Sequence, residues 1–580
     1  MTAVETNYHE GLMHRLVNIY QDVDTTILGA IADRVLARLD DASTPGIGAA
    51  SRWDESSCLL ISYADSITDG RKSSLACLGE FVETHLNDVI DSVHILPFFP
   101  STGDDGFSVM DYRAVDPRLG SWGDLTNMSS SRKIMADVIL NHGSRSSAWF
   151  RQFVDGEAPG NGYFLSVDDD FDVSHVIRPR EHALLQPVTT VGGEKKVWCT
   201  FSEDQVDFDF SNPLLLEEFI GIILDFIDHG VRILRLDAVG FLWKETGTTC
   251  LNLHQTHAII QLIRYIADIY DDETVIVTET NLPNHENLSY FGNGNEAHWI
   301  YNFSLPPLIL YSLLFADSSI LRRWSMSMPP ALIGTSYLNF LSSHDGFGMR
   351  PTEGLLDATQ RQRLLDRLEA NGSLFSRRAK ADGTTSVYEA NTTLFSALEK
   401  SDGDPTGALS SARFIAAYAL MFGLEGIPAI YFNSLISAQN HTDGVARSGM
   451  KRRINRQKFE KDWLDDKLSD PMSRESIGLE TLKNLLTIRK RQPAFHPNAT
   501  QFTLQLGAEL FGVWRQSHDR KQSIFAITNL CASEQALDLS AINLIDTENW
   551  RGLITKPQIE SRRGYITMAR YQTVWITNHA

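Results

Sequence analysis

The sequence predicts an α/β protein built on a parallel sheet, and three observations predict it. Apolar runs at residues 58–63, 93–98, 134–140, 231–237, 274–279, 337–341 and 427–432 are short and bounded by turns, as strands buried on both faces are. Segments of helical periodicity lie between many of them, for example 216–229, 257–270 and 410–422. Several runs end on a carboxylate or a histidine. Alternation of strand and helix over several hundred residues is the mark of a parallel architecture. Seven strands come close to the eight of a (β/α)8 barrel, and a doubly wound sheet shares the same alternation.

Taken in order, residues 1–50 read as a helical extension. Leu12, Leu16, Val17 and Tyr20, then Ile27, Ile31, Val35 and Leu39, fall at helical spacing, and Thr44-Pro45-Gly46 breaks the pattern. The barrel is expected in three pieces, 51–144, 206–346 and 401–495. Residues 145–205, rich in Gly, Asp and Pro turns with short β-like pieces, suggest an inserted small domain. Residues 347–400 form a second insertion, combining a polar helix at 360–370 with a Gly/Ser/Thr-rich loop at 380–386; insertions of this length are usually lids or binding loops. Beyond residue 495 the helical pattern stops. Strands at 501–514, 522–530 and 564–576 then predict a terminal β-sandwich-like domain over 496–580.

The most informative stretch is 231–241. The helix before it carries Leu216, Phe219, Ile220, Ile223, Leu224 and Ile227 on one side, and Gly230 fits the left-handed residue after a helix end. Arg235 and Asp237 then share one face of the strand, because strand side chains alternate. An arginine beside the acid is expected to lower its pKa and keep it ionised.

Composition narrows the functions. A chain of 580 residues needs more than one ordinary domain, and 43% hydrophobic with 22% charged residues can bury a sizeable core. The net charge of −21 argues against nucleic acid or an anionic membrane as partner, and says nothing against a neutral sugar. Five scattered cysteines with no CxxC pair fit free thiols in a reducing cytoplasm better than a zinc site. No segment reads as a signal peptide or membrane span, so a cytoplasmic location is expected.

The chemistry falls at strand ends. Asp237 and Glu279 close two runs, His344-Asp345 closes a third, and Asn141-His142 follows a fourth. In a barrel these ends open on one mouth. Like charges gathered there raise one another's pKa and need a reason. Glycosyl transfer supplies one: a carboxylate attacks, another gives and recovers a proton, and the group stabilises an oxocarbenium-like transition state. A lone carboxylate would more simply cap a helix; three with a histidine favour catalysis.

The strings DVILNH at 137–142, RLD at 235–237, Glu279 after an apolar strand and SHD at 343–345 resemble the four ordered motifs of glycoside hydrolase family 13, the α-amylase superfamily. Within it, DDGFSVMDY at 104–112, IRPR at 177–180, RLDAVGF at 235–241, YEAN at 388–391 and INR at 454–456 resemble the sucrose phosphorylase branch, whose relatives act on glucosylglycerate, glucosylglycerol and sucrose 6-phosphate. The resemblance implies a (β/α)8 TIM barrel with small domains inserted after strands three and seven and a C-terminal β-domain.

It also implies roles: Asp237 as nucleophile, Glu279 as general acid/base, Asp345 as transition-state stabiliser, and Arg235 as the group that holds Asp237 ionised. His142 and His344 would hydrogen-bond glucose hydroxyls, Asp104 and Arg456 would close the far end of the glucose site, and Phe107 would be an apolar wall. Arg180 and Tyr388 match positions that contact phosphate, and a guanidinium fork suits an oxyanion. Glu389 stands where the sucrose enzymes carry Gln, Asn281 where they carry His, and residues 181–185 replace a shorter segment. With Glu389 facing the acceptor, a neutral polyol is expected, so the leading substrate is 2-O-α-glucosylglycerol, ahead of glucosylglycerate, sucrose and sucrose 6-phosphate. Arg377, Arg378 and Lys380 are the cations that could reverse that choice. The partners expected are a small α-glucoside and inorganic phosphate, with no cofactor and no metal. A hydrolase or transglucosylase on the same scaffold, and a non-catalytic sugar-binding member, are the alternatives; the complete Asp237, Glu279 and Asp345 set argues against the last. Oligomeric state is left open.

Overall fold

The computed structural model describes residues 3–39, 52–379, 384–544, 550–554, 559 and 563–579. Eight parallel strands close into a barrel: β1 (Leu59–Ser62), β2 (Ser92–Ile95), β3 (Lys133–Ile139), β4 (Val231–Asp237), β5 (Val275–Thr278), β6 (Trp299–Tyr301), β7 (Ser336–Phe340) and β8 (Ile427–Tyr431). Closure is made by β1, which pairs Leu59 with Ser92 on one side and with Ala429 on the other. A doubly wound sheet would leave two edges open, so that alternative is excluded. The strand absent from the sequence reading is β6, only three residues long, too short for any periodicity to register.

Helices at Ala3–Ile19 (α1) and Thr25–Leu39 (α2) precede the barrel. The inward face of α2 is Leu28, Ile31, Ala32, Val35, Leu36 and Leu39, while Val17 and Ile27, which share the apolar pattern, face solvent. The expected break at Thr44-Pro45-Gly46 lies outside the described residues. Helix α3 (Pro213–Asp228) shows why its sequence delivers β4 where it does. The Asn212 side chain accepts from the Leu214 amide, Pro213 occupies the first turn, and the apolar face is buried from Leu215 to Ile227. At the other end Gly230 takes φ +90°, and a Cβ there would stand 2.6 Å from Ser129 Oγ; only glycine makes this turn into β4.

Two excursions leave the barrel mouth. Between β3 and β4, the strand His142–Ser144 pairs with Gln205–Asp207, and a hairpin joins Leu185–Thr190 to Gly193–Trp198. Between β7 and β8, Phe347–Gly348, Leu374–Ala379 and Thr385–Asn391 form a three-stranded antiparallel sheet beside the helix Ala358–Ala370. The loop expected through residue 386 is therefore shorter, since strand begins at Thr385, and Lys380 lies outside the described residues. The C-terminal part holds a five-stranded antiparallel sheet and a two-stranded one. The single strand expected over 501–514 is two strands, Thr500–Thr503 and Leu510–Gln516, paired with each other. Arg515, fully buried, ties this sheet to the barrel by donating to the carbonyls of Gly423, His496 and Ala499. Among the described residues no helix is long and apolar enough to cross a membrane.

Candidate active site

All but two of the site residues expected from the sequence line one cavity at the C-terminal mouth of the barrel; Arg235 and Arg456 stand directly behind its wall. The strands do this by register. Asp137 on β3 lies opposite Arg235 on β4, Ile139 lies opposite Asp237, and Arg235 lies opposite Val277 on β5, two residues before Glu279. Asp237 and Glu279 thus reach the mouth from adjacent strands, and Asp345 reaches it from the loop after β7.

Arg235 is shared rather than dedicated. Its guanidinium bonds Asp237 Oδ1 at 2.6 Å, makes a shorter contact to Asp137, and lies 3.9 Å from Glu279 Oε2. Asp137 is also held by His94 Nε2 at 2.9 Å. One cation thus faces three buried carboxylates. Burial raises the Asp237 carboxyl well above its usual range; Arg235 opposes this, and Glu279 and Asp137 add to it. Burial raises Glu279 as well, again against Arg235. The expectation that Arg235 lowers the pKa of Asp237 is corrected: burial, with Glu279 and Asp137 beside it, outweighs Arg235 and raises the carboxyl. Arg235 lies closer to Asp237 than to Glu279, so its stabilisation of negative charge is the stronger on Asp237.

Asp345 is set apart from that pair. Burial works against its charge, but Arg452, His344 and Arg456 outweigh burial and hold the carboxyl well below the usual range. Arg452 makes the direct contact, 2.8 Å to Asp345 Oδ1.

The inner wall is built of ion pairs and rings. Arg456 bonds Asp105 Oδ2 at 2.5 Å and the His344 carbonyl at 2.9 Å, and lies 3.7 Å from Asp104 Oδ1. Arg453 pairs with Asp105 from the other side. Asp104 and Asp105 both adopt positive φ, which turns their carboxylates inward. Burial disfavours the charge of Asp104, yet Arg452, Arg456 and Arg180 hold its pKa below the usual range. Phe107 stacks on His344 with centroids 5.0 Å apart. Burial pushes the His344 imidazole down to about 3 and lowers His142 as well, so both face the cavity neutral. His142 Nε2 lies 3.1 Å from the Phe107 carbonyl and 3.0 Å from Gln205 Nε2.

The outer side carries Arg180, Tyr388, Asn281 and Glu389. The Arg180 guanidinium lies 5.4 Å from the Tyr388 ring and 5.8 Å from the Phe201 ring. Its one hydrogen bond is to the Pro179 carbonyl at 3.2 Å, and no carboxylate of the described residues pairs with it. Asn281 Nδ2 reaches the Tyr388 hydroxyl at 3.4 Å. Glu389 departs from expectation. It is 2% exposed and gripped by Arg452 through Nε at 3.1 Å and Nη2 at 2.7 Å. Arg452 offsets part of its charge and fixes its position, so Glu389 is not the free acceptor ligand expected. Arg452, which no sequence argument singled out, is the residue that links Asp345 to Glu389. Its one signal is the basic triplet 451–453 just before INR in an acidic chain.

Gly346 and Gly348 let the two loops close on each other. A Cβ at Gly346 would stand 2.4 Å from the Ala390 carbonyl, and one at Gly348 2.5 Å from Asn281 Oδ1. Among the described residues no group of three or more His, Cys, Asp or Glu is arranged to hold a metal ion.

Comparison with known proteins places these features in context. Residues 86–343 match the family described as alpha amylase, catalytic domain. Over 554 residues, 95% of this chain and 96% of the relative's length, the sequence is 39% identical to the glucosylglycerate phosphorylase of Allomeiothermus silvanus. It is 30% identical over 458 residues, 75% of this chain and 87% of the relative, to the glucosylglycerol phosphorylase of Marinobacter adhaerens. The crystal structure of sucrose 6F-phosphate phosphorylase from Thermoanaerobacter thermosaccharolyticum matches with a TM-score of 0.71 at 25% identity, covering 82% of this chain and 94% of that one.

Proposed function

We propose a reaction for this chain from one premise: it belongs to glycoside hydrolase family 13, the α-amylase superfamily, in the sucrose phosphorylase branch. It is a retaining α-glucoside phosphorylase. The finer reading is that its donor is 2-O-α-D-glucosylglycerate, which with phosphate gives α-D-glucose 1-phosphate and glycerate.

In this reading Asp237 attacks the anomeric carbon while Glu279 gives its proton to the departing acceptor oxygen, leaving a β-linked glucosyl ester on Asp237. The acceptor leaves and phosphate takes its place. Glu279, now a carboxylate, recovers a proton from phosphate as a phosphate oxygen attacks the same carbon. The ester bond breaks, and two inversions give the α-phosphate. Asp345, held ionised by Arg452, stabilises the cationic sugar in both transition states. Asp104, Arg456, His142, His344 and Phe107 hold the glucose, and Arg180 with Tyr388 receives phosphate.

The acceptor reading rests on one observation above others. A free Glu389 facing the acceptor would favour a neutral polyol, but Glu389 is buried in a two-point contact with Arg452. Weakening that repulsion leaves Arg180, paired with no carboxylate of the described residues, as a cation at the outer side. Near end-to-end likeness to a glucosylglycerate phosphorylase supports the same choice over glucosylglycerol. The five unpaired, buried cysteines agree with a reducing, cytoplasmic setting for this reaction. The test is phosphorolysis of glucosylglycerate, glucosylglycerol, sucrose and sucrose 6-phosphate at equal concentration. Glucosylglycerate should lead; a clear preference for glucosylglycerol would overturn the acceptor assignment and leave the phosphorylase reading intact.

A further inference from the structure

A second cation faces the cavity from the loop that follows Asp345. Arg350 is 7% exposed and lines the same space as Glu279, Asn281 and Tyr388. Its Nε is buried without a hydrogen-bond partner, and among the described residues no carboxylate lies within ion-pairing distance of its guanidinium. The arginines around it are differently placed. Arg452 is held by Asp345 and Glu389, Arg456 by Asp105, and Arg378 by Glu353 at 2.7 Å. Arg361 donates to the Val387 carbonyl at 2.8 Å. Among these guanidiniums of the β7–β8 loops, Arg350 stands out as the one with neither a carboxylate nor a carbonyl.

An unpaired buried cation is costly, and is retained where a ligand completes it. The backbone on either side of it is fixed. The Met349 amide donates to the Tyr388 carbonyl at 2.9 Å, Ser304 Oγ donates to the Pro351 carbonyl at 3.1 Å, and Thr352 Oγ1 donates to the Met349 carbonyl at 2.6 Å. The chain carrying Arg350 is thereby held beside Tyr388, with which Arg350 lines the cavity. A planar fork held in place suits a carboxylate, which it can take through two parallel hydrogen bonds.

We propose that Arg350 receives the anionic group of the acceptor and is the residue that selects a carboxylate-bearing acceptor over a neutral one. This rests on the phosphorylase reading above and deepens it, because it assigns acceptor charge to a residue separate from the Arg180 and Tyr388 pair. In the first half-reaction the guanidinium would hold the glycerate carboxylate while Glu279 protonates the departing oxygen. In reverse it would orient free glycerate towards the glucosyl-enzyme.

The experiment measures transfer from α-glucose 1-phosphate to glycerate, glycerol, fructose 6-phosphate and fructose by the wild-type protein and by Arg350→Gln and Arg350→Lys. The ratio of glycerate to glycerol transfer is an internal measure that partial misfolding does not move. In Arg350→Gln that ratio should fall at least 10-fold through a raised KM for glycerate, and Arg350→Lys should recover part of it. An unchanged ratio in a wild type that prefers glycerate would overturn the role of Arg350 and leave the glucosylglycerate reading standing. Loss of fructose 6-phosphate transfer in Arg350→Gln, from a wild type that prefers that acceptor, would overturn glycerate and keep the role. A wild type that prefers a neutral acceptor would overturn both.

Discussion

The backbone amide of Ala238 donates a 3.0 Å hydrogen bond to Oε2 of Glu279. Ala238 directly follows Asp237 and sits in the left-handed region at φ 49°, ψ 28°, a conformation that costs a non-glycine residue energy and persists only where surroundings enforce it. The turn that ends β4 therefore presents Asp237 to the cavity and points its next amide at the carboxyl on β5. The two acids of the proposed double displacement are connected through a single peptide unit, so one cannot drift without the other.

Replacing either acid separates their roles. Glu279→Gln should lower phosphorolysis by about 10²–10⁴-fold, and Asp237→Asn by at least as much. With an activated donor that needs no protonation, Glu279→Gln should accumulate the ester, and the peptide containing Asp237 should gain one hexose in mass. A β-linked sugar phosphate as product, or near-normal turnover of Asp237→Asn, would sink the mechanism.

The raised carboxyls fix the sign of the pH dependence. Activity needs Glu279 protonated and Asp237 ionised, and burial raises both above the ordinary carboxylic range. kcat/KM should rise with pH as Asp237 loses its proton and fall again as Glu279 loses its own. The falling limb should vanish in Glu279→Gln assayed with the activated donor. A falling limb of unaltered position in that variant would assign it to another group.

Arg180→Ala should raise the KM for phosphate by one to two orders of magnitude, roughly the loss of a charged hydrogen bond, while the KM for glucoside moves much less. Hydrolysis should gain relative to phosphorolysis, since water then meets a weaker competitor for the glucosyl ester. Unchanged phosphate dependence would reduce residues 178–180 to a plain turn.

A pH effect on stability follows from a histidine far from the chemistry. His298 is fully buried, accepts from the Ile276 amide through Nδ1 at 2.9 Å, and is pushed down to about 3, first by burial. The unfolded chain binds a proton there at about pH 6.5 and the native one does not. Its contribution is therefore complete above that value and lost as pH falls, by about 1.4 kcal/mol per pH unit. Between pH 7 and 5, Tm should drop less steeply in His298→Gln than in the wild type. Parallel slopes would place the effect in other residues.

Much of this was legible in the sequence because the barrel writes itself as buried strands ending on polar residues. Asp237, Glu279 and Asp345 each follow an apolar run, and the strand register then carries them to one mouth. What was not legible depends on contacts between distant segments. β6 has three residues and no pattern of its own. Glu389 looked like a free acceptor ligand because its partner, Arg452, is 63 positions away. Arg350 reads as an ordinary loop cation in the chain, and only its lack of a partner among the described residues sets it apart.

The wall of Asp104, Asp105 and Arg456 has a bearing on supply. In the proposed mode of binding, the far hydroxyls of the glucosyl unit would meet those ion pairs, which stand across the path of a second sugar on that side. A polymer of glucose would then offer only its terminal unit, with an aglycone that is another sugar and carries no charge. With glucosylglycerate as the proposed donor, such a wall would keep a reserve polysaccharide and a small anionic glucoside as separate stores.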